Sequence, residues 1–480
     1  MTKHLRNVLK IIALFSLDIS AFYCSLLIAY HTRKMLNLVF PHLYPQVPFS
    51  FFLKIWWMPV IFLLFIAYER LYTKKLPFWD ETRELFKTIS ASTIAILAII
   101  TLGKMTGSIS RLTILFLWLS GLFFFPLLRL LGKKALYTLG LWKDNVIIVG
   151  AGAAGIDTAK GLNADRHLGY HVIGFLDDNE TPGKQVQVDG ATYKIFGKVR
   201  HFTKFVRHLD ISTVIIAIPS LSVEKLSELT NDIQKHTKSV LLVPDIKGVA
   251  LTNTELYHLF IQQLFLLKIN NNLKSPYNRF VKRTFDLALP IVLLPLFVPF
   301  VGILGLLIKL DSPGPVFFRH TRVGRSGRPF RIYKFRSMYR DSRERLERIL
   351  ETDPSAKQEW LTCFKLKNDP RITRMGRFLR KTSLDELPQI FNVLQGEMSL
   401  VGPRPVLEEE ITKYYKEFAD YYHLVRPGIT GLWQVNGRND VDYDVRVRLD
   451  AWYVLNWSAW LDIVILFKTF RVVLNKKGAY

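Results

Sequence analysis

Two adjacent carboxylates, Asp385 and Glu386, stand in the stretch KTSLDELPQIFNVLQGEMSLVGPRP, residues 381–405. Leu384, Leu387, Ile390, Phe391 and Leu394 recur at helical spacing, and Asp385, Gln389 and Asn392 fall on the opposite face. The pattern predicts a short amphipathic helix with a polar working side. Ser383, three residues before Glu386, forms a capping box, or Asp385 itself caps, which puts Pro388 in the first turn where a missing N–H costs little. Such a helix end carries unpaired N–H groups and about half a positive charge, so it keeps an aspartate ionised and attracts phosphate. The chemistry favoured is attack by a carboxylate on a phosphorus drawn to the same place. Gly396 ends the helix, and Gly402-Pro403-Arg404-Pro405 returns a guanidinium on a rigid turn suited to bidentate phosphate binding. Taken alone, such a pair is more often a solvated cap than a catalytic dyad, and its company decides.

That company is a basic membrane protein. The 480 residues are 49% hydrophobic, with 34 Phe and 10 Trp, more than a soluble core of this length requires. The net charge of +25 suits anionic partners: phosphorylated ligands, an anionic membrane face or nucleic acid. Cys24 and Cys363 give neither a disulfide framework nor metal spacing. Four stretches approach the length needed to cross a bilayer: Val8 to Tyr30, Phe51 to Tyr68, Thr88 to Leu102 and Leu112 to Leu131. The first is too long for a signal-peptide core and lacks a cleavage pattern, so it reads as a retained span. Lys3, Arg6 and Lys10, then Arg70, Lys74, Lys75, Arg83 and Lys87, then Lys133 and Lys134 place the N-terminus, the middle loop and all that follows in the cytoplasm. Asp18, inside the first span, is expected to pack against neighbouring spans, with no second ionisable group at matching depth.

From Lys143 the composition turns to soluble α/β. A strand at Val146 to Val149 leads into Gly150-x-Gly152-x-x-Gly155 and a helix, and a second strand, His171 to Leu176, ends at Asp177 and Asp178. Further strands are expected at Thr213 to Ile218 and Ser239 to Val243, about the helix Val223 to Thr237. The roughly 100 residues available suffice for one mononucleotide half of a dinucleotide fold. No Tyr-x-x-x-Lys follows the glycine loop. The apolar run Phe285 to Leu310 is interrupted by Pro290, Pro295 and Pro299, and strongly basic sequence follows from Arg319. Exporting that sequence would oppose the charge bias, so the run is expected to enter and leave by one membrane face, held by Lys282, Arg283 and Lys309. No nucleic-acid motif accompanies the basic stretch. Trp452, Trp457 and Trp460, with the basic residues after them, suit a helix lying in the membrane interface.

The fold class is thus membrane α plus α/β: a four-helix transmembrane domain (residues 1–135), a half-Rossmann-like module (143–250), and a mostly helical catalytic domain (278–480) with a re-entrant helix at 284–310.

Four segments together resemble the bacterial polyprenyl-phosphate hexose-1-phosphate transferases in their large membrane form. They are KRTFD with its proline-broken run, GPVFFRHTRVGRSGRPFRIYKFRSM, RKTSLDELPQIFNVLQGEMSLVGPRP and RPGITGLWQVNGRN. The sequences KKLPFWDE, FKLKNDPRIT, GRNDVDYD and the terminal GAY resemble the galactose-transferring branch; a glucose-handling relative is the alternative. The resemblance implies that UDP-hexose and undecaprenyl phosphate give undecaprenyl-diphosphate-hexose and UMP, the first step of O-antigen, capsule or exopolysaccharide synthesis at the bacterial cytoplasmic membrane. It implies Asp385 as the nucleophile that becomes phosphoglycosylated, with Glu386 in support. Mg2+ is expected, with Asp385 as the protein oxygen nearest to it, because a diphosphate and an attacking carboxylate repel each other. Lys334, Arg336, Arg380, Arg404 and Arg438 are the expected phosphate and nucleotide contacts. Where the family often breaks its re-entrant helix at Ser-Pro, this chain has Val298-Pro299, so Pro299 keeps the kink without the hydroxyl. Membrane lipids are partners and nucleic acid is not; the oligomeric state, a homodimer included, is open. Two rivals from other classes are an NAD-dependent nucleotide-sugar oxidoreductase built on Gly150 to Gly155 and a non-catalytic membrane scaffold.

Overall fold

A computed structural model of the protein describes residues 3–39, 47–105, 109–209, 211–245, 254–259, 264–269, 272–353, 355, 357–358, 366, 369–436 and 442–474. The chain divides into two compact units, residues 1–246 and 247–480.

The first unit opens with helices α1 (Lys3–Val39), α2 (Phe49–Leu53), α3 (Trp57–Tyr68), α4 (Phe78–Leu102) and α5 (Arg111–Thr138). Helices α1, α4 and α5 are long and apolar enough to cross a membrane. The expected second span is interrupted. Helix α2 stops at Leu53 and α3 has 12 residues, a rise of roughly 18 Å against the ~30 Å of a hydrocarbon core. Restarting at Trp57 makes Pro59 the third helical residue, where the absent N–H has no intrahelical acceptor to lose. The bundle packs around Phe22, Phe62, Ile89 and Phe125, with the last two rings of the aromatic set, Phe62 and Phe125, stacked at 5.8 Å.

Asp18 does have an ionic partner. Arg129 on α5 donates from Nη2 and Nε to its two oxygens at 2.6 and 2.9 Å, and from Nη1 to Glu81 Oε1 at 2.6 Å. Lys133 donates to Glu81 Oε2 at 2.7 Å, and His167 Nε2 meets the same oxygen. Arg129 already lay inside the expected fourth span, and a guanidinium buried there requires carboxylates around it. His167 belongs to the α/β module, so this cluster also fastens that module to the helices. A second tie is Asp144, which accepts from Lys10 at 2.6 Å and Lys75 at 2.5 Å.

The module contains β1 (Asp144–Val149), α6 (Ala153–Ala164), β2 (Tyr170–Leu176), β3 (Gln185–Val188), β4 (Ala191–Gly197), α7 (Phe202–His208), β5 (Thr213–Ile216), α8 (Val223–His236) and β6 (Ser239–Leu242). The strand order is β3-β4-β2-β1-β5-β6, with β3 alone antiparallel. This is more than the expected half. Five parallel strands extend to both sides of β1, because β4 arises from a polar stretch whose alternating exposure marks it as lying towards an edge. Gly150 takes φ +102°, and a Cβ on Gly155 would stand 2.0 Å from the Gly150 carbonyl oxygen, so the glycine loop does close tightly on its strand. Asp177, placed to meet a ribose hydroxyl in a dinucleotide fold, instead accepts the backbone N–H of Ala151 and of Asn179, each at 2.8 Å.

In the second unit a hairpin of β7 (Thr254–Leu259) and β8 (Leu264–Ile269) precedes α9 (Pro276–Asp311), one helical segment that includes Pro290, Pro295 and Pro299. One face of α9 buries Phe297, Val301, Leu304 and Ile308, while Val292 and Leu296 on the other are 74% and 75% exposed. A second hairpin, β9 (Phe317–Val323) with β10 (Pro329–Phe335), is followed by helices Ser342–Thr352, Arg374–Thr382 and Gln389–Gln395. Strands β11 (Ser399–Val401) and β12 (Gly428–Thr430) pair in parallel, and helices Tyr443–Leu455 and Ala459–Leu474 follow. Trp457 is not an interfacial residue. It is 2% exposed, packs with Tyr453 and Val454, and donates to Asp462 at 3.2 Å. Among the described residues of the last helix, the exposed large apolar side chains are Phe467 and Phe470.

Candidate active site

The dyad sits on a tight turn between two helices. Helix Arg374–Thr382 ends on Ser383, which adopts φ 58° and ψ 19°, and Leu384–Glu386 form a single 3-10 turn before helix Gln389–Gln395 begins. The expected capping box is therefore not formed: Ser383 terminates the preceding helix and its side chain caps nothing. Pro388 explains the break. It has no N–H to offer Leu384, so Leu387 bonds back to Leu384 at 3.2 Å and Phe391 to Pro388 at 3.0 Å in tighter i to i+3 fashion. Four of the five residues of the expected apolar stripe, Leu384, Leu387, Ile390 and Phe391, pack on Phe297, Val301, Leu304 and Ile308 of α9, although they are divided between the 3-10 turn and the helix. The expected polar face divides. Asn392 is fully buried and stitches the turn to β10, accepting from the Tyr333 N–H at 3.0 Å and donating to the Arg331 carbonyl at 2.8 Å.

Asp385, Glu386, Lys334, Arg336, Arg380 and Arg404 all line one cleft of about 1040 Å³. Lys334 donates to Glu386 Oε1 at 2.6 Å, and Arg380 donates from Nε to the Ser337 hydroxyl at 2.9 Å. Burial, then the adjacent Glu386, pushes the Asp385 carboxyl above the usual carboxylate range, while Lys334 and Arg380 pull it back. Arg336 reaches the cleft wall, but its Nη1 and Nη2 donate to the Pro313 and Ser312 carbonyls at 2.7 and 2.6 Å, which fixes the chain after α9. Arg404 is exposed, 5.9 Å from the Trp433 ring. Arg438 lies outside the described residues.

Arg322 and His320 also line the cleft, although the sequence offers them only as part of the basic stretch that follows from Arg319. The signal was present in the two-residue period of a strand: Phe318, His320 and Arg322 on β9 alternate on one face, opposite Lys334, Ile332 and Phe330 on β10. Of these, all but Phe330 line the cleft. Burial, and then Arg404 against the pull of Glu410, lowers the Arg322 guanidinium, so two cations converge here on space suited to an anion. Behind them, β11 and β12 bring the two turn motifs together. The Gly402 N–H donates to Thr430 and the Gly428 N–H to Pro403, at 2.9 and 2.8 Å, and a Cβ on Gly428 would lie 2.1 Å from the Gly402 nitrogen. Only glycine permits that approach, and it is what aims Arg404 at the cleft.

Among the described residues no group of three or more His, Cys, Asp and Glu converges, so no all-protein metal cage is found there. Asp385 beside Glu386 fits a hard cation that takes one or two carboxylates and completes its shell with water and substrate phosphate.

Residues 277–476 match the family described as bacterial sugar transferase, and residues 56–244 match a CoA-binding domain. The chain is 43% identical over 412 residues to the undecaprenyl-phosphate galactose phosphotransferase of Salmonella typhimurium, covering 86% of this chain and 84% of that protein. It is 42% identical over 411 residues to the UDP-galactose-lipid carrier transferase of Erwinia amylovora, with the same coverage of both. It is 34% identical over 348 residues to the UDP-glucose:undecaprenyl-phosphate glucose-1-phosphate transferase of Escherichia coli, covering 71% and 70%. With such identity along most of its relatives' own length, and with the carboxylate turn inside the matched region, the chain belongs to the bacterial sugar transferase family.

Proposed function

We propose that the protein transfers galactose-1-phosphate from UDP-galactose to undecaprenyl phosphate, releasing UMP and making the lipid-linked first sugar of a polysaccharide. The reaction class rests on the family and its relatives' activities, and galactose on the two relatives above 40% identity; the Escherichia coli relative keeps glucose as the second reading. The observation that carries the mechanism is a carboxylate dyad among cations, on a turn packed against an apolar helix.

Asp385 attacks the sugar-side phosphorus of the nucleotide sugar. A carboxylate oxygen bonds to that phosphorus as its bond to the bridging oxygen breaks, and UMP leaves with the electron pair. An oxygen of the lipid phosphate then attacks the same phosphorus, and the carboxylate is released with the diphosphate formed. Splitting the transfer in two means that both bulky substrates need not be present together. Lys334, through Glu386, holds the dyad in place, and Arg380, Arg404 and Arg322 offset the phosphate charge. Mg2+ held by Asp385 and Glu386 would neutralise charge between carboxylate and diphosphate.

Helix α9 serves in this reading as a re-entrant anchor bent at Pro299. The support is that both of its ends are bonded to one unit. Near its start, Arg283 donates to the Val393 and Leu394 carbonyls at 2.7 and 3.1 Å; at its end, Asp311 accepts the Met375 N–H at 3.0 Å. A crossing helix would set those ends on opposite sides of ~30 Å of hydrocarbon. The charge bias of the loops supports a cytoplasmic placement of the unit at the inner membrane. Against an oxidoreductase on the glycine loop, no Tyr-x-x-x-Lys acid/base pair follows that loop.

The test is UMP release from UDP-galactose and UDP-glucose, side by side, with undecaprenyl phosphate and Mg2+. Faster release from UDP-galactose, lost in Asp385→Asn, is expected. Equal turnover in that variant would overturn the mechanism, and preference for UDP-glucose would overturn the sugar.

A further inference from the structure

We propose that the wall of the cleft formed by Leu466, Thr469 and Val472 of helix Ala459–Leu474, with Ile429, Trp433 and Val435, holds the first isoprene units of the polyprenyl phosphate. This rests on the reaction proposed above and adds the place of its lipid substrate.

The cleft is one continuous space that includes both Asp385 and this wall. At about 1040 Å³ it stands at the upper end of the ~300–1000 Å³ typical of a small-molecule site. Its lining changes in chemistry along the cleft. Lys334, Arg380, Arg404 and Arg322 gather about the dyad, Ile429 and Trp433 stand beside these cations, with the Trp433 ring 5.9 Å from Arg404, and Leu466, Val472 and Val435 continue the lining with aliphatic side chains. The single hydroxyl of its helix face is already used: Thr469 Oγ1 pairs with Thr430 Oγ1 at 2.7 Å and donates to the Ile465 carbonyl at 2.8 Å, which leaves the methyl group to the cleft. A phosphate at the cationic end would direct an attached apolar chain along this wall.

The wall also leads to apolar surface. Leu466 and Phe470, four residues apart, share a side of the helix, and Phe467 and Phe470 are 60% and 68% exposed. The same helix begins beside the start of α9, where Asp462 accepts from Lys282 at 2.7 Å. A lipid chain leaving the wall therefore passes onto the outward phenylalanines of a helix rooted next to the membrane anchor.

Two measurements test this on the full-length protein. In Leu466→Trp and Val472→Trp, KM for undecaprenyl phosphate should rise about tenfold or more, the scale of blocking a filled apolar subsite, while KM for UDP-galactose stays within about twofold. A rise for UDP-galactose with the lipid KM unchanged would assign the wall to the nucleotide and overturn the proposal. As a check independent of variant folding, a polyprenyl phosphate with a diazirine on its first isoprene unit should label residues 466–472 of the unaltered protein on irradiation. Labelling confined to α9 or elsewhere would also overturn it. Absence of UMP release by the unaltered protein would instead sink the reaction itself, which the labelling does not read.

Discussion

Lys334 donates to Glu386 at 2.6 Å, so the ammonium beside the dyad is held by the second carboxylate. Removing it leaves Glu386 to repel both Asp385 and an incoming diphosphate. Lys334→Met should lower kcat by about two orders of magnitude, equivalent to ~3 kcal/mol of transition-state stabilisation. Adding Glu386→Gln should recover part of the loss, because the two residues act as a pair. A double variant whose losses simply add would show that they act separately.

Asp385 is held above the ordinary carboxylate range by burial and by Glu386. Attack needs the ionised form, so kcat/KM should fall on the acid side at a higher pH than a free carboxyl of about 4 would give. Glu386→Gln removes the like charge and frees Lys334, and both effects lower the Asp385 pKa. The acid limb of the pH–rate profile should move to lower pH in that variant. A limb that stays fixed would mean that another group controls it.

Asp450 is fully enclosed beside Tyr415, whose hydroxyl donates to Oδ2 at 2.8 Å, and burial pushes its carboxyl up to about 8. Between an unfolded value of ~3.9 and that level the unfolded chain is ionised while the folded one keeps its proton. Stability is therefore lost as pH rises through this window, by about 1.4 kcal/mol per unit, and levels off above it. Asp450→Asn keeps an acceptor for Tyr415 without the charge, so its unfolding midpoint should exceed that of the parent by more at pH 7.5 than at pH 5.5. A constant difference would contradict the assignment.

Lys282 is buried between Asp462, at 2.7 Å, and Asp286, at 3.7 Å, and also donates to the Val401 carbonyl at 3.0 Å. Tyr453 donates into the same group, to Asp462 Oδ1 at 2.7 Å. Lys282→Met strands two carboxylates away from water and should cost about 3–5 kcal/mol. Tyr453→Phe deletes one hydroxyl and should cost about 1–3 kcal/mol. Denaturant unfolding should rank them in that order, and the reverse order would show that Lys282 is not the centre of the cluster.

Local chemistry was readable in the sequence and long-range pairing was not. The strands at 146–149 and 171–176, the stop at Gly396 and the apolar stripe from Leu384 follow from patterns within a few residues of each other. Asp18 and Arg129 are 111 positions apart, and nothing local reveals that they meet. The polar helical face of Asn392 points to a cleft residue, yet its amide bonds a hairpin 59 to 61 positions earlier and Glu397. Charge alone singles out Arg336, whose guanidinium binds carbonyls after α9, and does not distinguish Arg322, which strand alternation points to the cleft. Alternation places both Arg322 and Arg336 at the cleft, and it is the carbonyls met after α9 that make Arg336 scaffold.

The turn that carries Asp385 has α9 as its floor, with Phe297 and Phe391 meeting ring to ring at 5.8 Å. In the proposed mechanism, the helix that anchors this unit in the lipid therefore also sets the height and tilt of the attacking carboxylate. Grafting a generic transmembrane segment in its place would keep the enzyme on the membrane and still disable it. Changes in acyl-chain length or lateral pressure would then reach Asp385 through a few aromatic contacts.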